Sequence, residues 1–139
     1  MNLENQPCLV IGGGKVAYMK IQQLLESKAH VTVIAPIIHK SIQSLSVRLK
    51  KRKYKSEDIK KYQLVIAGTN DKKVNQKISH DANKRGIPIN VVDQPELCSF
   101  YMGSVFHDGD VKIGVSTNGK CPSFGQFLRD HIQNISKGL

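Results

Sequence analysis

Cys8-Leu9-Val10-Ile11-Gly12-Gly13-Gly14-Lys15-Val16-Ala17 decides the fold: an apolar run enters three successive glycines, and a helical pattern follows at once. A first strand passes into a nucleotide-binding helix in this way. Gly12 suits the tight turn after the strand, Gly14 lets a pyrophosphate approach the backbone, and Ala17 allows close helix–strand packing. The free N–H groups that open the helix then face the phosphates. Many glycine-rich turns bind nothing. Here, however, the strand, the helix and the next strand, Val31-Thr32-Val33-Ile34, fall within about thirty residues, the length of one βαβ unit.

Working outward, Val16, Ile21, Leu24 and Leu25 form a helical stripe that ends near Lys28, and Val31–Ala35 is a second buried strand closed by Pro36. A short helix is expected over Ile37–Leu45. An edge strand follows, in which Leu45, Val47 and Leu49 alternate with Ser46, Arg48 and Lys50, and then a helical turn over Ser56–Lys61. Gln63–Ala67 is the fourth strand. Asn70 or Asp71 caps a helix bearing Val74, Ile78 and Ala82, which stops at Gly86, and Ile89–Val92 is the fifth strand. Phe100–Phe106 and Val111–Val115 form a hairpin joined by His107-Asp108-Gly109-Asp110. Pro122 opens a last helix carrying Phe124, Phe127, Leu128, Ile132 and Ile135. The fold class is therefore α/β: a Rossmann-type doubly wound parallel sheet of order 3-2-1-4-5, with an added C-terminal hairpin and helix. Residues 1–139 read as a single domain.

No apolar run is long enough to span a membrane, and Met1-Asn2-Leu3-Glu4-Asn5-Gln6 is polar, so neither a membrane anchor nor a signal peptide is expected. Cys8, Cys98 and Cys121 are odd in number and lack C-x-x-C spacing, which points to a reducing cytoplasm and to no metal site. The net charge is +10, and eight Lys/Arg against two acids between Arg48 and Tyr62 supply six of those charges. Only Tyr54 and Tyr62 interleave that run, a poor stacking platform for nucleic acid. The remaining readings are a protected sheet edge and a surface that attracts an anionic small molecule.

Ligands in such a sheet bind at the carboxyl ends of the strands, near the switch point between the first and fourth. Gly12-Gly13-Gly14, Gly68-Thr69-Asn70-Asp71 and Asp93 collect there. A carboxylate at Asp93 can accept a proton or position a substrate N–H; a turn aspartate before Gln94-Pro95 is the other reading. The acid that often ends the second strand and binds ribose hydroxyls is replaced by Ala35-Pro36, so the residues leave NAD and NADP both open. Ser79-His80-Asp81 is not a triad, because helical neighbours point in different directions. Ser116-Thr117-Asn118-Gly119-Lys120, before the last helix, reads either as a carboxylate-binding turn or as an ordinary polar one. His107 reads as a solvated turn residue.

Taken in order, Val10–Ala17 with Lys20, Val31–Pro36, Ala67–Asp71 with Val74-Asn75, Asn90–Asp93, Ser99-Phe100, and Val115–Gly119 with Pro122 resemble the precorrin-2 dehydrogenase family, the N-terminal module of sirohaem synthases. The resemblance runs from Cys8 to Ile135. It implies NAD-dependent oxidation of precorrin-2 to sirohydrochlorin, with iron insertion as well in some members. It also implies that Gly12, Gly13, Gly14, Lys15, Val16, Ala35, Pro36 and Thr69 hold the cofactor, that Asp93 is the proton acceptor, and that Ser116, Thr117 and Asn118 line the substrate site. The polycarboxylate tetrapyrrole gives the basic surface a purpose. Gly103 departs from the family's usual Pro, Thr117 from its usual Ser, and Lys28-Ala29-His30 lacks the usual Gly. The family's helical dimerisation region is expected to be absent, which leaves a homodimer open. A dinucleotide sensor and a tetrapyrrole carrier without catalysis are the rival readings.

Overall fold

The structure, a computed structural model, describes residues 2–100 and two strands at 104–108 and 111–115. The chain divides into two compact units, Met1–Ser99 and Phe100–Leu139. The first contains β1 (Pro7–Ile11), α1 (Lys15–Glu26), β2 (His30–Ile34), α2 (Lys40–Gln43), β3 (Arg48–Lys50), a 3-10 turn (Ser56–Ile59), β4 (Leu64–Ala67), α3 (Lys72–Lys84), β5 (Ile89–Val91) and a second 3-10 turn (Pro95–Leu97). Its five strands are all parallel in the order β3-β2-β1-β4-β5, as the alternation of strand and helix patterns predicts.

The strands are short and almost wholly apolar because a parallel sheet is covered on both faces. Cys8–Ile11, Leu64–Ala67 and Ile89–Val91 are buried throughout. Leu9, Ile11, Val65, Ala67, Ile89 and Val91 share one face and cluster with Ile78 and Ala82 of α3. The intervening positions turn to the opposite face, as the two-residue pleat requires, and α1 packs on β1 and β2. At the edge, Arg48 is exposed while Leu49 is half-buried, so the lysine-rich strand lies where its alternation places it.

Two helices end in the same way. After α3, Gly86 adopts φ +68°, its N–H donates to Asn83 O and the Ile87 N–H to Ala82 O. After α1, Lys28 takes φ +61°, its N–H donates to Leu25 O and the Ala29 N–H to Leu24 O. Both are Schellman closures, and α1 makes its closure without glycine.

Three expectations are corrected. Val16 is 43% exposed, and the helix stripe on the sheet is Ala17, Ile21 and Leu24, since a helix that begins at Lys15 directs residue 16 away from the sheet. The helix expected over Ile37–Leu45 shrinks to Lys40–Gln43, because 36–39 lie across the glycine turn, where the His39 N–H donates to Gly13 O at 2.8 Å. In the second unit, β6 (Ser104–Asp108) starts later than Phe100 and pairs antiparallel with β7 (Val111–Val115). His107 faces Lys112 and Asp108 faces Val111 in that ladder, so both belong to a strand and not to the turn. The helix expected after Pro122 lies outside the described residues.

Candidate functional site

The carboxyl ends of β1 and β4 meet at two glycines. Gly12 has φ +138°, and a β-carbon on it would lie 2.6 Å from Gly68 O. Gly68 itself is held by its N–H donating to Ile11 O at 2.8 Å. A β-carbon on Gly13 would lie 2.0 Å from Ile37 O, so the chain after β2 closes directly over the turn. Gly14 differs: nothing lies within 4 Å of its missing side chain. The first glycines are thus demanded by the fold itself, and Gly14 opens onto free space. No such reason for Gly13 is readable from its neighbours in the chain, because the contact comes from a residue more than twenty positions away.

Gly14 caps α1 in an extended conformation, with no side-chain hydrogen bond to the first turn among the described residues. At α3, by contrast, the Asp71 carboxylate accepts from the Lys73 N–H at 2.9 Å. The α1 amino end therefore keeps its N–H groups and positive dipole end for an anion. Lys15 and Val16 are exposed beside it. Ala35 is buried, with its N–H donating to Lys50 O, and Pro36 and Ile37 are exposed; no carboxylate follows β2 there.

Thr69 is fixed by a small polar network. Its hydroxyl lies 2.6 Å from Asn75 Oδ1 and 3.0 Å from Asp71 O. The Thr69 N–H also donates to Asn75 Oδ1, and Asn75 Nδ2 donates to Thr69 O and to Gln94 Oε1. Asn75 and Gln94 are 4% and 8% exposed. This bridge ties the turn after β4 to the turn after β5.

Asp93 occupies that second turn, exposed and left-handed at φ +61°. Aspartate tolerates this conformation better than most residues, and such strain collects at functional sites. The Cys98 thiol staples the same turn: Sγ accepts from the Val91 N–H at 3.1 Å and lies 3.3 Å from Val91 O and 3.5 Å from Gln94 O. Burial pushes the Cys98 thiol up, the Val91 N–H opposing. Lys20, on α1, is half-buried. Burial lowers its ammonium from the ordinary lysine value, while the nearby Cys98 and Asp93 charges act in the opposite sense.

Gln94, Cys98 and the Asn75 bridge were not recognisable as site residues from sequence, since each acts through a partner distant in the chain. Ser116, Thr117 and Asn118 lie outside the described residues. The Ser79-His80-Asp81 run separates as expected: Ser79 donates to Leu97 O, Asp81 accepts from the Tyr54 hydroxyl, and His80 is exposed. Tyr54 and Tyr62 are partly buried and pack against the core. Among the described residues, no three His, Cys, Asp or Glu side chains converge as metal ligands, and no helix is long and apolar enough to cross a membrane.

A parallel sheet of this order, with an uncapped glycine turn at its switch point, defines a Rossmann-type dinucleotide-binding domain. Residues 1–104 match the family model NAD_binding_7, described as "Putative NAD(P)-binding", and the chain belongs to that family. It is 35% identical over 138 residues to a siroheme synthase of Vesicomyosocius okutanii subsp. Calyptogena okutanii, and 37% identical over 139 residues to one of Methylobacillus flagellatus. These matches cover 96% and 97% of this chain but 30% of either relative, so the chain spans less than a third of their length. Among solved structures, "SirC, precorrin-2 dehydrogenase" superposes with a TM-score of 0.78 at 23% identity, over 96% of this chain and 68% of that one, which shows a shared fold. The resemblance read from the ordered motifs agrees with the names of these sequence relatives, and the solved structure shares the fold.

Proposed function

We propose that residues 1–139 act as one module, an NAD-dependent dehydrogenase that oxidises precorrin-2 to sirohydrochlorin on the way to sirohaem. The observation that carries this reading is the coupling of two turns at one switch point. The open glycine turn and Thr69 suit a dinucleotide, and the Asn75–Gln94 bridge joins that side to the turn bearing Asp93. The names carried by the relatives, siroheme synthase and precorrin-2 dehydrogenase, supply the substrate class.

The residues fit the cofactor: Gly14 leaves space for the pyrophosphate, and the first-turn N–H groups of α1 would hold it, with Lys15, Val16, Ala35 and Pro36 around the rest. NAD, when bound, supplies the hydride acceptor. Asp93 takes the proton that leaves the substrate as its hydride departs, so two electrons and two hydrogens are removed in balance. Ser116, Thr117 and Asn118 would receive the tetrapyrrole, and the net charge of +10 would draw in its carboxylates. A cytoplasmic setting suits the free thiols of Cys8 and Cys98.

The test is incubation with precorrin-2 and NAD. Equal amounts of sirohydrochlorin absorbance and NADH are expected. NAD binding with no oxidation would favour a dinucleotide sensor or a tetrapyrrole carrier.

A further inference from the structure

β5 ends the five-stranded sheet, and its inner side is bonded to β4, with the Val92 N–H donating to Ala67 O at 2.9 Å. The Ile89 and Val91 N–H groups face the outer edge, where side chains stand in for a neighbouring strand. Ser99 Oγ accepts from the Ile89 N–H at 2.8 Å, and Cys98 Sγ accepts from the Val91 N–H at 3.1 Å. The Ser99 N–H completes the line by donating to Ile89 O at 2.8 Å.

The two side chains hold different things. Ser99 meets Ile89, at the start of β5, whereas Cys98 meets the turn that follows the strand. In Val91-Val92-Asp93-Gln94 the Gln94 N–H donates to Val91 O at 3.2 Å, and Asp93 stands third, at φ +61°. A turn with positive φ at its third residue ordinarily takes glycine or asparagine. An aspartate persists there only when its surroundings hold it. The Cys98 sulfur lies 3.3 Å from Val91 O and 3.5 Å from Gln94 O, so it bonds both the first and the last residue of this turn. A thiol is a weak donor and a weak acceptor at once, and this turn presents it with both kinds of partner.

We propose that Cys98 is a positioning residue for the oxidation: its thiol clamps the two ends of the turn and so fixes where the Asp93 carboxylate stands. This rests on the reading of Asp93 as the proton acceptor. Cys98 acts only through the backbone of the turn, and a small displacement of a reacting group lowers the rate far more than it disturbs the fold. A hydroxyl offers the same donor and acceptor, so serine can replace the thiol in part; a methyl group cannot.

The experiment compares wild type, Cys98→Ala, Cys98→Ser and Ser99→Ala by single-turnover oxidation of precorrin-2 with saturating NAD. NAD titration, melting and amide hydrogen exchange without cofactor accompany it. Cys98→Ala is expected to slow oxidation about tenfold or more at wild-type NAD affinity, and to speed exchange of the Gln94 amide. Cys98→Ser should regain most of the rate. Ser99→Ala, which strips the other edge bond, should lower the melting temperature and keep the wild-type rate. Should Cys98→Ala fail to fold, Cys98→Val carries the same expectation. Wild-type turnover or unchanged Gln94 exchange in the Ala or Val variant overturns the positioning role. So does a Cys98→Ser variant as slow as Cys98→Ala, or an equal loss of rate in Ser99→Ala. A wild type that does not oxidise precorrin-2 contradicts the dehydrogenase reading and takes the positioning role with it; an active wild type matched by Cys98→Ala removes the positioning role alone.

Discussion

Asn75 Nδ2 donates to Gln94 Oε1 across 3.4 Å, joining the segment after β4 to the segment after β5 in a buried amide–amide contact. Asn75 also accepts from Thr69, so one side chain holds the turn after β4 and braces the Asp93 turn. Asn75→Ala leaves Gln94 Oε1 and the Thr69 N–H without this partner. The expected cost is about 1–3 kcal/mol of stability, the desolvation penalty of buried groups left unpaired. Urea denaturation checks this, and NAD titration on the folded variant is expected to show weaker binding. Wild-type stability and affinity together would deny the bridge its role.

The three glycines should separate by mechanism. Gly13→Ala would drive a β-carbon to 2.0 Å from Ile37 O, and Gly12→Ala would set one 2.6 Å from Gly68 O at φ +138°. Both are expected to destabilise the fold by more than an ordinary surface change, which stays within about 0.5 kcal/mol. Gly14→Asp meets no protein atom, so it should fold normally and lose NAD binding through its bulk and charge. Thermal melts and calorimetric titration of the three variants distinguish these outcomes.

Lys28→Gly is expected to stabilise the protein. A non-glycine residue in the left-handed region costs about 1–2 kcal/mol, and glycine returns about 0.4–1 kcal/mol of unfolded-state entropy cost. The net gain should be about 0.5–1 kcal/mol. Gly86→Ala, in the matching closure of α3, should act in the opposite direction. Chemical denaturation of both variants reads the two signs.

How much of this was legible follows from where the contacts come from. The strand runs, the glycine turn, the Asp71 cap and the Gly86 stop rest on neighbours in sequence, and all were readable. The sheet order was readable as well, because helical crossovers with a lysine-rich edge admit few arrangements. Gly13 against Ile37, Cys98 under Val91 and Asn75 on Gln94 depend on how separate segments meet, and no periodicity announces them. Val16 was misplaced because an apolar residue at the helix start fits the stripe by type but not by angle.

Asp58 supplies a pH dependence. The Arg52 guanidinium donates to both its oxygens at 2.7 and 2.6 Å, and the Lys55 N–H adds a third bond at 2.7 Å. The Arg52 hydrogen bond is the main cause that holds its carboxyl below the usual value, burial opposing. A lowered folded value means the stabilisation is fully present above the ordinary carboxylate range, about pH 4, and fades as pH falls through the lowered value. The stability difference between wild type and Asp58→Asn should therefore be larger at pH 7 than at pH 2.5. A difference that does not change with pH would contradict the pairing.

On the proposed function, Asp93 handles the proton in a dinucleotide-dependent oxidation. Asp93→Asn keeps the shape and a residue that tolerates the left-handed turn. The measurement is single-turnover oxidation of precorrin-2 with saturating NAD, followed by sirohydrochlorin and NADH absorbance in wild type and Asp93→Asn. The rate is expected to fall by about 10²-fold or more, the scale of a general base, with NAD affinity unchanged. Wild-type turnover in Asp93→Asn would contradict it.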